Sequence, residues 1–194
     1  MKRLVALVAG LSLLLVAGCS SPSDGLVTPT GPAPSTIAET AEHNDTDVMF
    51  LQMAIAHHKQ GLEIVKLAKD HAVRSDVKTL AAAIEVTQLS EIDSMTKWLG
   101  DWGKPESSGT DMQLHADHGG DHSTRPEDIA EIAALPSGEF EKGFLNLLIA
   151  HQHNAVAIAK FEREGGSNPQ SKGLADRIFE SRSAQIAQML GYLN

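Results

Sequence analysis

Between Asp45 and Asp70 apolar and small residues recur at steps of three and four, through Phe50, Ala54, His57, Gly61, Ile64 and Ala68. That is the period of one helix face, so His57 points inward. A second stripe carries Val77, Ala81, Ile84, Gln88, Glu91, Met95 and Trp98, opening at Ser75 as N-cap and stopping at Gly100. A third runs through Phe144, Leu148, His151, Ala155 and Ile158 to Gly165-Gly166, and a fourth through Leu174, Ile178, Gln185 and Met189. Between them, residues 101–125 show no period, and Thr124-Arg-Pro-Glu127 predicts a capping box for a short helix ending before Pro136.

The pattern repeats. Phe50-Leu-Gln-Met-Ala-Ile-Ala-His57 aligns with Phe144-Leu-Asn-Leu-Leu-Ile-Ala-His151 at an offset of 94 residues. The same offset pairs Lys66 with Lys160, Lys78 with Lys172, Leu80 with Leu174, Ile84 with Ile178, Ile92 with Ile186, Met95 with Met189 and Leu99 with Leu193. Two copies of one helical hairpin are expected, repeat 1 over about 45–100 and repeat 2 over about 137–194, joined by a crossover over about 101–136. Each hairpin alone would leave an apolar face wet, so the expected fold is all-α, one four-helix bundle over 44–194.

The N-terminus follows different rules. Lys2 and Arg3 precede an apolar run from Leu4 to Ala17 that is short for a membrane span, which reads as a signal peptide over 1–18. Leu15-Val16-Ala17-Gly18-Cys19 resembles the lipobox of bacterial lipoproteins. That resemblance implies cleavage before Cys19, lipidation of Cys19, and retention at the outer face of the cell membrane. Residues 19–43, rich in Pro, Gly, Ser and Thr, read as a disordered tether. The mature chain would carry 14 basic against 25 acidic residues, so the lipid rather than the protein surface would be its membrane partner.

Composition narrows the chemistry. The net charge of -9 over 194 residues, with no basic patch, argues against nucleic acid. A single Cys removes intramolecular disulfides, CxxC redox pairs and Cys-rich zinc sites. No Gly-x-Ser-x-Gly elbow, His-Glu-x-x-His helix or phosphate loop is present, so the chain is not expected to be an enzyme. The surplus is in its 9 His.

Inward polar residues need partners, because an unpaired hydrogen-bonding group in a core costs roughly 1–3 kcal/mol. His57, Gln88, Glu91, His151 and Gln185 either satisfy one another, with Glu91 accepting from His57 or His151, or hold a metal ion. Adjacent helical residues diverge by about 100°, so His57 and His58 cannot close on one ion, nor can His151 and His153, which lie two apart. His58 is expected at the flank of the stripe and His153 half exposed, while Met53, one turn before His57, can share its ion. Met95 is a further thioether donor on the second helix. The crossover offers a second site: Met112, His115, Asp117, His118, Asp121 and His122 lie within one short glycine-containing loop.

Asp47-x-x-Phe50-Leu-x-Met53-x-Ile-x-His57-His58, followed by Ile84-x-x-x-Gln88-x-x-Glu91-Ile-x-x-Met95-x-x-Trp98-Leu99, resembles the bacterial domain-of-unknown-function family 305. That resemblance implies a ferritin-like four-helix fold, export, and copper binding through His and Met in some members. It assigns His57 and His58 to the family's His pair and Glu91 and Met95 to its second motif, with His151 matching the first His in the second copy. The chain departs from the pattern at Ala54, Ile64 and Leu148, where the family carries Met, and at Gln152 and Gln185 in place of His and Glu. Fewer thioethers favour Cu(II), Zn(II) or Ni(II) over Cu(I).

The expected function is a lipid-anchored extracytoplasmic protein that captures or buffers a metal ion, copper first and otherwise Cu(II)-like or Zn(II) cargo. A metal-free helical scaffold for an envelope partner is the alternative. A ferritin-like di-iron oxidase is remote, because no Glu-x-x-His occurs in the chain.

Overall fold

The computed structural model describes residues 42–71, 74–107 and 123–194. The signal peptide, Cys19, the tether up to residue 41, and His115, His118 and His122 of the crossover lie outside the described residues. Among the described residues there are five helices: α1 (Asp45–Asp70), α2 (Ser75–Asp101), α3 (Pro126–Ala133), α4 (Ser137–Gly165) and α5 (Pro169–Leu193). Among the described residues there is no strand.

Helix ends differ from the sequence expectation in three places, each for a local reason. The N-cap of α2 is Arg74 in extended geometry, with Ser75 already inside the helix. That helix runs through Gly100 to Asp101, and the reversal falls at Gly103, whose φ of 65° is open to glycine at little cost. For α3 the capping box does not form. Arg125 is its N-cap with no side-chain cap bond, Pro126 fills the first turn where no N–H is needed, and Thr124 is turned inward.

The start of α1 does carry a capping box, with Asn44 accepting from the Asp47 N–H and Asp47 accepting from the Asn44 N–H. Buried Asp47 also accepts from the N–H groups of Ser167 and Asn168 and from the Ser167 hydroxyl, which staples the α4–α5 turn to α1. Asn168 then caps α5 by accepting from Gln170 and Ser171.

α1 and α4 form the central antiparallel pair, α2 packs on α1, α5 packs on α4, and α3 lies mainly on α4. Two apolar layers fill the bundle. One holds Phe50, Leu51, Met53, Met95, Leu99, Ile158, Leu174 and Ile178. The other holds Ile64, Val65, Ile84, Phe140, Phe144, Leu148 and Met189. Along α1, α2, α4 and α5 the residues between these layers are polar: His57 and His58, Gln88 and Glu91, His151 and Gln152, Arg182 and Gln185.

The fourth edge of the bundle is open. α2 and α5 meet only through side chains, without close backbone approach, and a groove of about 800 Å³ runs between them, lined by Ser90, Glu91 and Ser94 on one side and Leu174, Arg177 and Ser181 on the other.

Candidate metal centre

The internal repeat places its equivalent residues around the bundle centre. His57 and His151 meet face to face, ring centroids 3.8 Å apart and planes 15° from parallel. His57 Nε2 donates to the His151 carbonyl oxygen at 3.1 Å. A carbonyl can only accept, so His57 Nδ1 is left with a bare lone pair, and it has no hydrogen-bond partner. His151 Nδ1 bonds the Thr124 hydroxyl at 2.8 Å, and its Nε2 is likewise unpartnered. In the tautomer whose Nδ1–H donates to the Thr124 hydroxyl, His151 Nε2 presents its lone pair, the orientation a metal-ligating imidazole needs.

A hollow receives that nitrogen. Gly61 sits one turn after His57, and a Cβ built on it would lie 2.6 Å from both amide atoms of Gln88 and 2.8 Å from His151 Nε2. Both Gln88 amide atoms are buried without partners. The repeat counterpart of Gly61 is Ala155, so the hollow exists on one side only.

The second link of each hairpin is also repeated. His58 Nε2 and Glu91 Oε2 lie 2.7 Å apart, and their counterparts Gln152 and Gln185 make an amide hydrogen bond of 2.6 Å. The counterpart of Gln88 is Arg182, which is fully buried and donates to Glu91 Oε2. Arg182 Nη2 stands 3.4 Å from His58 Nε2. Repeat 1 therefore carries an imidazole–carboxylate pair that the Arg182 guanidinium of repeat 2 joins, while the corresponding link within repeat 2 is a neutral amide pair.

Protonation follows from burial. Burial, with the neighbouring His151 and His58 charges, drives the His57 imidazole well below its ordinary value, and burial pushes His151 down to about 3. Burial also lowers His58, although the Glu91 carboxylate pulls the other way. For Glu91 burial acts upward, but the His58 hydrogen bond and the Arg182 charge outweigh it and hold the carboxylate low. Neutral imidazoles are the metal-binding form.

The two stacked rings are not a finished chelate. Imidazole lone pairs lie in the ring plane, and one ion cannot sit in two nearly parallel planes 3.8 Å apart, so a shared ion requires one ring to turn. Among the described residues no group of three or more His, Cys, Asp or Glu is gathered closely enough to hold a metal. The donors that fit are two bare imidazole nitrogens and the Gln88 amide oxygen beside the Gly61 hollow.

Residues 47–193 match the family model described as a domain of unknown function, DUF305. The chain belongs to the DUF305 family. Its fold is similar to a DUF305 fragment from Deinococcus radiodurans, at 25% identity and TM-score 0.67 over 77% of this chain and 96% of that one. A DUF305 protein from Streptomyces coelicolor, whose secretion is inferred, matches at 25% identity and TM-score 0.67 over 74% and 88% of the two chains. CopM in its Cu(II)-bound form matches at 25% identity and TM-score 0.64 over 76% and 95%. Its Cu(I)-bound form matches at 26% and 0.61 over 75% and 94%. No curated protein matches the chain in sequence.

Within this DUF305 bundle the expected site residues separate. His57 and His151 converge as their stripes predict. His58 is not at the flank but as buried as His151, and it, rather than His57 or His151, takes Glu91. Met53 and Met95 lie in the apolar layer toward the α1 start. His153 is exposed, so it does not join the layer.

Sequence reasoning missed Arg182 and Thr124. Arg182 was visible: it falls four residues after Ile178 on the α5 stripe and pairs with Gln88 in the repeat. For Thr124 the only signal was its place before a helix, which pointed to capping instead.

Proposed function

We propose that this DUF305 protein captures metal ions, copper first, outside the cytoplasmic membrane, where lipid on Cys19 holds it, and that it buffers or passes on the ion without catalysing a reaction. The observation that carries the reading is the pair of unpartnered imidazole nitrogens, His57 Nδ1 and His151 Nε2, buried beside the unpartnered Gln88 amide. A polar atom left bare in a core costs stability unless a ligand uses it. The solved relatives add support, since CopM has been crystallised with Cu(I), with Cu(II) and with Ag. With one ring turned, the two imidazole nitrogens and the Gln88 oxygen would offer a nitrogen–oxygen donor set suited to Cu(II) or Zn(II). His115, His118 and His122 of the crossover form a second, weaker capture site.

The metal-free scaffold is the second reading, favoured by the mutual pairing of His58 with Glu91 and of Gln152 with Gln185. Metal analysis of untagged protein, followed by Cu(II), Cu(I) and Zn(II) titration, separates the two. Wild type should bind, His57→Ala with His151→Ala should lose the tighter ion, and the triple His115, His118 and His122→Ala variant should lose the weaker one. Three folded proteins that bind nothing would establish the scaffold.

A further inference from the structure

The two halves of the polar layer are not equivalent. His58 Nε2 and Glu91 Oε2, 2.7 Å apart, are an imidazole and a carboxylate, two donors of a borderline divalent metal. Bonded to one ion at 2.0–2.1 Å each, such donors stand roughly 3 Å apart, so the pair is already close to ligating geometry. Against it lies Arg182, with Nη2 hydrogen-bonded to the same Glu91 oxygen and 3.4 Å from His58 Nε2. A guanidinium is a permanent cation that offers only donors, so it takes the carboxylate face that a metal would need and repels a second cation. Glu91 also lines the α2–α5 groove, so the carboxylate end of the pair borders solvent.

We propose that His58 and Glu91 form a divalent metal site held shut by Arg182, which acts as its built-in cation. The proposal deepens the metal-capture reading by adding a second, closed site to the layer that holds His57 and His151. Gln88, the residue that repeat 1 places where repeat 2 has Arg182, shows which side chain a site without the stopper would carry. Glu91 would then hold the ion with His58 while water from the groove fills the remaining positions.

Zn(II) and Cu(II) titration of four proteins tests this: wild type, Arg182→Gln, Arg182→Lys and the double variant Arg182→Gln with His58→Ala. Arg182→Gln should bind one more ion per chain than wild type and gain more in melting temperature on Zn(II) addition. Arg182→Lys, which keeps the cation, should retain the wild-type stoichiometry, and the double variant should return to it. If Arg182→Gln is unfolded in chelator, Zn(II) must restore its helical circular dichroism, and must fail to do so in the double variant. A folded Arg182→Gln with wild-type stoichiometry, an extra ion that survives His58→Ala, or an unfolded variant that Zn(II) does not rescue overturns the proposal. Wild type that binds nothing would instead refute the capture reading, while one ion on Arg182→Gln would still uphold the stoppered site.

Discussion

Stability of the metal-free protein should pass through a maximum near pH 6.5, with two limbs set by different buried groups. On the acid side His57 and His151 stay neutral in the native bundle because burial lowers them, whereas in the unfolded chain each binds a proton near the ordinary 6.5. Stability present above pH 6.5 is therefore lost as pH falls, by about 1.4 kcal/mol per pH unit for each such proton. Glu162 acts oppositely. Burial and a hydrogen bond with Asp47 raise its carboxyl to about 8, against an ordinary 4.5, so from pH 4.5 to 8 the native state holds a proton that the unfolded chain lacks. Its contribution is complete below 4.5 and is lost as pH rises to 8.

Between pH 4.5 and 6.5 the net excess on the unfolded chain is one proton, or two if His58 counts fully, a slope of about 1.4–2.7 kcal/mol per unit. Between 6.5 and 8 the sign reverses, at about 1.4 kcal/mol per unit. Urea unfolding in chelator at pH 5, 6.5 and 8 should thus find pH 6.5 the most stable, by about 2–4 kcal/mol over pH 5. Glu162→Gln should flatten the alkaline limb and, because its native-state proton offsets one histidine proton between pH 4.5 and 6.5, steepen the acid limb by about 1.4 kcal/mol per unit. A wild-type profile that is level or rising from pH 6.5 down to 5 would refute the assignment of neutral buried imidazoles.

Three substitutions probe the layer by other routes. Gly61→Ala places a methyl 2.6 Å from the Gln88 amide and 2.8 Å from His151 Nε2, both buried, so overpacking should outweigh the helix-propensity gain and cost about 1–3 kcal/mol in urea, with weaker metal binding. Glu91→Ala leaves the Arg182 charge buried and unpaired, which should cost about 3–5 kcal/mol, and Arg182→Met added to it should restore part of that loss, as a double-mutant cycle measures. Thr124→Val removes the hydroxyl that holds His151 Nδ1, so Cu(II) affinity should fall by 10–100-fold while Thr124→Ser retains it.

The helices and the duplication were legible because both are carried by short spacings. The period through Phe50, Ala54, His57, Gly61, Ile64 and Ala68 returns as an unbroken line of buried residues on α1, and the offset that pairs His57 with His151 returns as a ring stack. The same offset could have exposed Arg182 opposite Gln88. Arginine is so seldom fully buried without a partner that its place on the α5 stripe carried little weight until Glu91 was seen beside it.

Local spacing alone determined which faces are apolar, where polar groups interrupt them, and that two hairpins must cover each other, since these depend on the angle between neighbouring residues of one helix. Only the tertiary structure decided which polar group answers which. Thr124 reaches His151 across 27 residues, Glu91 takes His58 from 33 residues away, and Arg182 closes on both from the far hairpin. Those partnerships depend on how helices rotate and slide against one another, and that freedom is settled by packing of the apolar layers on either side, not by any single segment of chain.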